Sequence, residues 1–175
     1  LDPALSGQLF TLFCLSGCEM NEGFDNVDLL GVSIHSAPIG VLEKLALSPV
    51  EAESLCAALR QRDEVESAMV VSTCNRTEVY VSWARPEVSP TLFRDTFSQH
   101  IGPERLPDER YLYRRRGVDG VRHLYRVACG LDSVVLGEAQ ILGQLKSAWD
   151  VTLSTGLVDP GFERMVHGAF RVAAQ

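Results

Sequence analysis

Two strand-like runs separated by a short polar break constrain the fold of this chain more than any other feature of its sequence. The first run, Ala68–Ser72, is apolar up to its last residue, as in a central strand that is covered on both faces. The second run alternates apolar and polar residues from Thr77 to Trp83. Because the few residues between the runs allow only a tight connection, we predict an antiparallel hairpin.

Other strand and helix patterns flank this hairpin. Alternation over 30–34 predicts a strand with one buried face, and the Ser-Pro-Val-Glu run at 48–51 predicts a capped helix start. The Ser-Pro pair at 89–90 begins a second helix, and 110–115 form a fourth strand pattern. The order β-α-β-β-α-β is that of the split βαβ unit. We therefore predict an α+β, ferredoxin-like domain with an antiparallel sheet over 27–116.

Downstream of this domain the patterns become helical. Apolar residues recur at helical spacing from Val118 and again from Ile141, and a last helix begins at Asp159–Pro160. The apolar stripe of that helix continues without a C-cap glycine. We predict a helical part over 117–175 that leads into a truncated helix, so that the chain is a fragment, and an irregular extension over 1–26.

Charge and cysteine content limit the class of protein. The formal net charge of -7 argues against bulk attraction to nucleic acid or to an anionic membrane, so any such contact must be local. Five irregularly spaced cysteines indicate a reducing compartment, and Cys14 and Cys18 lack the second ligand pair of a zinc site. The apolar run before Cys18 resembles a lipoprotein cleavage box but is too short to span a bilayer and follows no Lys or Arg. We predict a cytoplasmic protein with no metal site and no membrane segment.

The polar break in the hairpin carries the first candidate for chemistry. Cys74 lies in the turn, where strands hold a side chain from one side and solvent reaches it from the other. A thiol reacts as thiolate, which Arg76 or a histidine from elsewhere would favour. From position alone, a buried structural cysteine is the commoner role. Taken alone, His123 could equally be a solvated histidine or a histidine of the core. The segment Gly130–Gln144, taken alone, indicates only a boundary between helices.

Three segments together resemble a known family. They are "STCNRTEVY" at 72–80, "VRHLYRVACGLDSVVLGEAQILGQLK" at 121–146 and "FERMVHGAFRVA" at 162–173. They resemble the N-terminal catalytic domain of glutamyl-tRNA reductase, an oxidoreductase of tetrapyrrole (porphyrin) biosynthesis. The resemblance implies that the Cys74 thiolate attacks the ester of glutamyl-tRNA and forms a glutamyl thioester. Hydride from NADPH then releases glutamate-1-semialdehyde.

The same resemblance implies roles for individual residues. The residues that it places in the pocket are Cys74 and His123 as catalytic groups and Thr73, Arg76, Ser133 and Gln140 as substrate-binding groups. Arg76 is expected to pair with the side-chain carboxylate of the glutamate, and Glu138 is expected to be structural.

The resemblance covers only part of the family's enzymes. The family's nucleotide-binding and dimerisation domains lie beyond the end of this chain, in which no Gly-x-Gly-x-x-Gly fingerprint occurs. The implied cofactor is NADPH, bound by a domain missing from this chain. The implied partners are glutamyl-tRNA as substrate, a second subunit joined through the missing C-terminal domain, and glutamate-1-semialdehyde aminomutase. A basic cluster could contact tRNA phosphates or be a solvated face; it comprises Arg114, Arg115, Arg116, Arg122 and Arg126.

One departure from the family pattern leaves other functions open. The family's Gly-x-x-His-x-x-Ala-Pro appears here as "GVSIHSAP", with Ile34 in the histidine place and His35 beside it. A one-residue shift on a strand points a side chain to the opposite face, so the histidine's role does not pass to His35 unless a bulge re-aims it. One alternative is a non-catalytic ferredoxin-like binding module, with Tyr80 and Trp83 as the aromatics of an RNA platform. The other is a regulatory paralogue that has lost activity.

Overall fold

An antiparallel four-stranded sheet forms the centre of the structure, a computed structural model that describes residues 23–85, 90–132 and 140–174. The strands are β1 (Val27–Ser33), β2 (Val65–Thr73), β3 (Arg76–Trp83) and β4 (Tyr113–Arg116). The helices of the described residues are α1 (Ile39–Leu45), α2 (Pro49–Arg60), α3 (Pro90–Ile101), α4 (Val118–Ala128), α5 (Gln140–Ser154) and α6 (Pro160–Ala173). Short 3-10 turns occupy Pro103–Arg105 and Glu109–Tyr111. The sheet order β2-β3-β1-β4 confirms the predicted ferredoxin-like α+β fold.

Helices cover both faces of the sheet, which corrects one prediction, and the strand order corrects another. One face packs through Leu29 and Tyr80 against α4, α5 and α6, and the other packs through Val32 and Val79 against α1, α2 and α3. Strand β1 therefore has two buried faces rather than one. Strand β2 is covered on both faces as predicted, but it is an edge strand against which α5 packs. The two interior strands are β3, all of whose residues are buried, and β1.

The predicted element boundaries hold where local capping chemistry determines them. At the start of α2, Ser48 and Glu51 form the predicted capping box, each side chain accepting a hydrogen bond from the other residue's backbone N–H. The fourth strand starts later than predicted, because the Asp108 carboxylate accepts from Arg110 N–H and closes a 3-10 turn over Glu109–Tyr111.

Several sequence predictions fall outside the described residues, including most of the extension over 1–26. Within the described ranges, no helix is long and apolar enough to cross a membrane. The same ranges contain no group of three His, Cys, Asp or Glu residues that could hold a metal ion.

Candidate functional site

Cys74 lies at the tip of the β2–β3 hairpin. Thr73 pairs with Arg76 across the ladder, so Cys74 and Asn75 form a two-residue turn. Such turns usually contain a residue at positive φ, but neither residue of this turn has one. Instead, Thr73 Oγ1 accepts hydrogen bonds from the backbone N–H groups of Asn75 and Arg76, both at 3.2 Å. The Thr73 hydroxyl therefore braces a turn from which the Cys74 side chain is exposed.

Accessibility separates Cys74 from the other described cysteines. Cys56 is buried, its thiol donates to the Ala68 carbonyl at 3.0 Å, and burial raises its pKa. Cys129 is half-buried, and burial raises the pKa of its thiol as well. A raised pKa disfavours the reactive thiolate. Of the cysteines that the structure describes, Cys74 therefore has the position best suited to a nucleophile.

A buried polar cluster centred on the Glu78 carboxylate lies behind the turn. Glu78 is 0% exposed. Its Oε1 accepts from Arg76 Nη1 at 2.9 Å, from His123 Nε2 at 2.7 Å and from the Tyr113 hydroxyl, and its Oε2 accepts from the Tyr80 hydroxyl at 2.7 Å. Burial raises the pKa of Glu78, but hydrogen bonding and charge from His123 and Arg76 outweigh it and lower the pKa to about 2. Glu78 is thus an ionised acceptor at neutral pH, so His123 Nε2 carries the donated proton.

Strand alternation and one glycine explain why this cluster forms. Arg76, Glu78 and Tyr80 are alternate residues of β3 and share a face of the sheet. Gly31 of β1 pairs with Glu78 on one side and with Tyr113 on the other. A Cβ at Gly31 would lie 2.9 Å from Glu78 Cγ and 2.8 Å from a Tyr113 ring carbon. Glu78 and Tyr113 were not predicted as site residues from the sequence. A charged residue inside an otherwise buried strand, together with a strand glycine, was the available signal.

Arg76 is buried within this cluster rather than exposed beside the thiol. Its side chain is 1% exposed. Besides Glu78, its Nη1 donates to Asp132 Oδ2 at 3.1 Å, and its Nη2 donates to the Asp132 carbonyl at 2.6 Å. Burial lowers the pKa of Arg76, but Glu78, Tyr113 and Asp132 outweigh it and raise the pKa. Asp132 therefore occupies the donors that the predicted substrate contact would use.

The segment that differs from the family's histidine motif, Ile34 and His35, lies just after the end of β1. Strand β1 ends at Ser33, so Ile34 and His35 belong to a turn, and the alternation rule for strands does not apply to them. Ile34 N–H donates to the Asn75 carbonyl at 3.0 Å, beside the hairpin tip. His35 Nε2 lies 3.1 Å from the Asp132 carbonyl, which also accepts from Arg76. The expectation that His35 points away from the site is therefore wrong, and a turn rather than a bulge re-aims it.

The remaining predicted residues do not join the Glu78 cluster. Gln140 is exposed at the start of α5 and lines a groove with Ser72. The hydroxyl of Ser72 bonds to Thr77, whose side chain points to the face opposite Glu78. Ser133 and Glu138 lie outside the described residues.

The residues present do not fit a nicotinamide dinucleotide. All strand pairs of the described sheet are antiparallel, so it contains no parallel βαβ unit and no switch point of the kind that binds dinucleotides. The sequence also has no glycine-rich phosphate-binding fingerprint. The described residues therefore offer an exposed thiol beside an ionised cluster, which suits nucleophilic chemistry, and they offer no fold that would bind the hydride donor.

Known proteins resemble this chain in both sequence and structure. The family model of the glutamyl-tRNAGlu reductase N-terminal domain matches residues 30–175. Glutamyl-tRNA reductase of Pseudoalteromonas translucida is 41% identical over 146 residues, which is 83% of this chain and 34% of that protein. The Chloroherpeton thalassium enzyme is 36% identical over 148 residues, which is 85% of this chain and 34% of that protein. The solved glutamyl-tRNA reductase from Methanopyrus kandleri matches with a TM-score of 0.61 and 27% identity, over 86% of this chain and 35% of that chain.

The matched region contains the hairpin, the Glu78 cluster and the helices that follow. The chain spans about a third of the length of these relatives. The family match confirms the resemblance predicted from the three sequence segments. This chain belongs to the family of glutamyl-tRNA reductase N-terminal domains.

Proposed function

We propose that this chain is the glutamate-recognising, thioester-forming part of a cytoplasmic glutamyl-tRNA reductase. The whole enzyme would reduce glutamyl-tRNA to glutamate-1-semialdehyde with NADPH, in tetrapyrrole biosynthesis. The observation that carries the proposal is the exposed Cys74 thiol on a braced turn in front of the Glu78 cluster. Binding of NADPH and dimerisation are assigned to parts of the enzyme outside this chain, and glutamate-1-semialdehyde aminomutase is proposed as a partner of the whole enzyme.

Cys74 performs the acyl transfer in this proposal. Its thiolate attacks the carbonyl carbon of the ester that joins glutamate to the terminal ribose of the tRNA. A carbon–sulfur bond forms and the carbon–oxygen bond of the ester breaks. The ribose oxygen leaves as a hydroxyl, taking up the equivalent of the proton that the thiol released. The product is a glutamyl thioester, whose acyl group is more easily reduced than that of the ester.

Arg76 binds the substrate's side-chain carboxylate by exchange with Asp132. The Asp132 side chain is 18% exposed, whereas Glu78 is fully buried. Replacing the more exposed partner costs less, because Glu78 continues to neutralise and orient the buried guanidinium. In this proposal Asp132 occupies the place of the substrate carboxylate, and Glu78 is a positioning residue for both Arg76 and His123.

His123 keeps its catalytic role as a prediction. Its Nε2 donates to Glu78, so in the neutral ring Nδ1 is the acceptor. An acceptor held by a buried carboxylate suits proton transfer near the thiol or the leaving ribose oxygen. Thr73 contributes by bracing the turn, and its predicted contact with substrate would be additional to that role.

Two structural observations weigh against the alternatives. An RNA platform needs exposed aromatic side chains on its strands, but Tyr80 and Trp83 are both buried. A regulatory paralogue has no need of an accessible thiol with an intact charged cluster behind it, yet Cys74 is exposed and Arg76 and His123 both contact Glu78. The catalytic hypothesis accounts for both observations.

Transfer of radiolabelled glutamate from glutamyl-tRNA to the protein tests the proposal. We expect label on the wild-type chain that hydroxylamine removes, as it does from a thioester. Cys74→Ser should abolish the transfer, whereas Cys129→Ser, which alters a half-buried thiol, should retain it. Absence of transfer to folded wild-type protein, or equal transfer to Cys74→Ser, would contradict the proposal.

A further inference from the structure

The predicted arginine cluster separates into two groups, because Arg114 and Arg116 lie on one face of β4 and Arg115 lies on the other. Arg114 Nη2 lies 2.6 Å from one carboxylate oxygen of buried Asp28, and Arg116 Nε lies 3.3 Å from the other. These two arginines are structural partners of Asp28. Arg115 alternates with them and faces the other way, where its guanidinium lies 5.8 Å from the centre of the Tyr113 ring.

Arg115 shares a recess with two arginines of α4. Arg122 and Arg126 are one helical turn apart and face the same side. The recess has a volume of about 270 Å³ and is lined by Arg115, Asp119, Arg122, His123, Arg126 and Asp132. Its two carboxylates are already paired, Asp119 with Arg122 at 2.6 Å and Asp132 with Arg76 at 3.1 Å. Because Arg76 is also paired with Glu78, the count is made over the lining alone: three arginines face two carboxylates, which gives the recess a surplus of one positive charge without counting His123.

The recess adjoins the proposed site directly. His123, which lines it, donates to Glu78 at 2.7 Å, and Asp132, which also lines it, accepts from Arg76. Arg76 follows Cys74 by two residues and pairs with Thr73 across the turn. A ligand held in the recess would lie beside the group that is proposed to react with Cys74.

We propose that this recess, which we call the Arg115–Arg126 recess, binds backbone phosphates at the 3′ end of the substrate tRNA. This inference rests on the proposed function. Because the glutamyl ester is on the terminal ribose, the phosphates of the last nucleotides must lie near the site when Cys74 attacks. Guanidinium groups match phosphate oxygens through paired donors. In a chain of net charge -7, a local cationic recess beside the thiol provides the attraction that bulk charge does not.

Equilibrium binding of uncharged glutamate tRNA, labelled at its 5′ end, tests the recess on the full 175-residue chain. The test variant is Arg115→Gln/Arg126→Gln. Each phosphate contact contributes about 0.7 to the slope of log affinity against log salt for a single strand, so the slope should fall by between about 1 and about 2. At about 0.1 M salt, binding should weaken on the order of 25-fold.

A matched variant controls for the change in net charge. Arg62→Gln/Arg85→Gln removes the same charge at the opposite end of the hairpin, where Val65 pairs with Trp83. This control should bind tRNA like the wild type, and thermal unfolding should show that both variants are folded. A tRNA without its unpaired 3′ nucleotides should bind wild type and the Arg115/Arg126 variant equally.

The outcomes separate the recess from the proposed function. Undetectable tRNA binding, an unchanged salt slope in the Arg115/Arg126 variant, or equal weakening toward intact and truncated tRNA would overturn the recess proposal. The proposal would also be overturned if the Arg115→Gln/Arg126→Gln substitutions weakened the binding of NADPH but left the binding of tRNA unchanged. Acylation of wild-type Cys74 by a small glutamate ester without RNA reports on the proposed function alone. Its success alongside an unchanged salt slope would refute the recess and leave the thioester chemistry standing.

Discussion

Replacing Glu78 with glutamine tests the ionised cluster behind Cys74. Glutamine has nearly the same shape as glutamate but carries no charge and presents an amide donor where the native carboxylate only accepts. In the variant, Arg76 would stay buried with Asp132 as its one remaining carboxylate partner in the described structure. If the amide nitrogen takes the place of Oε2, the Tyr80 hydroxyl has to accept instead of donating; if it takes the place of Oε1, it faces the donors of Arg76 and His123.

The expected cost follows from burial. Removing one partner of a buried charge pair costs about 3–5 kcal/mol, because the other charge is left uncompensated. The pH dependence gives an independent measure. The pKa of Glu78 is lowered from 4.5 to about 2 in the folded chain, which corresponds to on the order of 3 kcal/mol. Because the folded pKa is the lower one, this stabilisation is complete above pH 4.5 and is lost as pH falls from there toward about 2.

Urea unfolding of wild type and Glu78→Gln at pH 7 and at several lower pH values measures both effects. We expect a difference of about 3–5 kcal/mol in unfolding free energy at pH 7, narrowing by on the order of 3 kcal/mol below pH 4.5. Glu163→Gln makes the same chemical change at a half-exposed site and should stay within about 0.5 kcal/mol of wild type. Suppose that Glu78→Gln lowers the unfolding free energy by less than about 1 kcal/mol and that the unfolding free energies of the two proteins change in parallel with pH. That result would refute an ionised, stabilising Glu78.

Two further substitutions test the groups around the thiol. Thr73→Val removes the oxygen that accepts from Asn75 and Arg76 N–H, so the rate of Cys74 acylation should fall about 10-fold in a single-turnover assay, whereas Thr73→Ser should retain it. An unchanged rate in Thr73→Val would show that the brace is dispensable. Asp132→Asn weakens the group that occupies Arg76, so the half-saturating concentration of a small glutamate ester should fall. A rise in that concentration would mean that Asp132 assists substrate binding rather than competing with it.

The fold could be predicted largely because its signals are local. The break between the strands leaves room only for a hairpin, and Ser48 with Glu51 specifies a helix start whatever the rest of the chain does. The position of β2 at the edge could not be predicted, because an edge strand covered by α5 has the same apolar pattern as a central one. Strand order depends on which strand pairs with β1, and that contact is not local.

The candidate site also combines features that local sequence predicts with features that depend on distant contacts. The hairpin predicted that Cys74 lies in a turn, but position alone favoured a buried structural cysteine, and its exposure is a finding of the structure. The burial of Arg76 depends on Asp132, which is 56 residues away in sequence. The orientation of the His35 side chain depends on where β1 ends. The predicted strand ran to residue 34, whereas β1 ends at Ser33, and this small difference is enough to reverse the predicted orientation of His35. Tertiary contacts thus decide which polar residues near the thiol are free to meet a substrate.

Mass spectrometry of the intact chain after incubation with glutamyl-tRNA, followed by peptide mapping, tests the proposed chemistry at its reacting atom. We predict the addition of one glutamyl group, located on the peptide that contains Cys74 and absent from Cys74→Ser. Folded protein that remains unmodified, or that carries the glutamyl group on Cys56 or Cys129 instead, would contradict a nucleophilic Cys74.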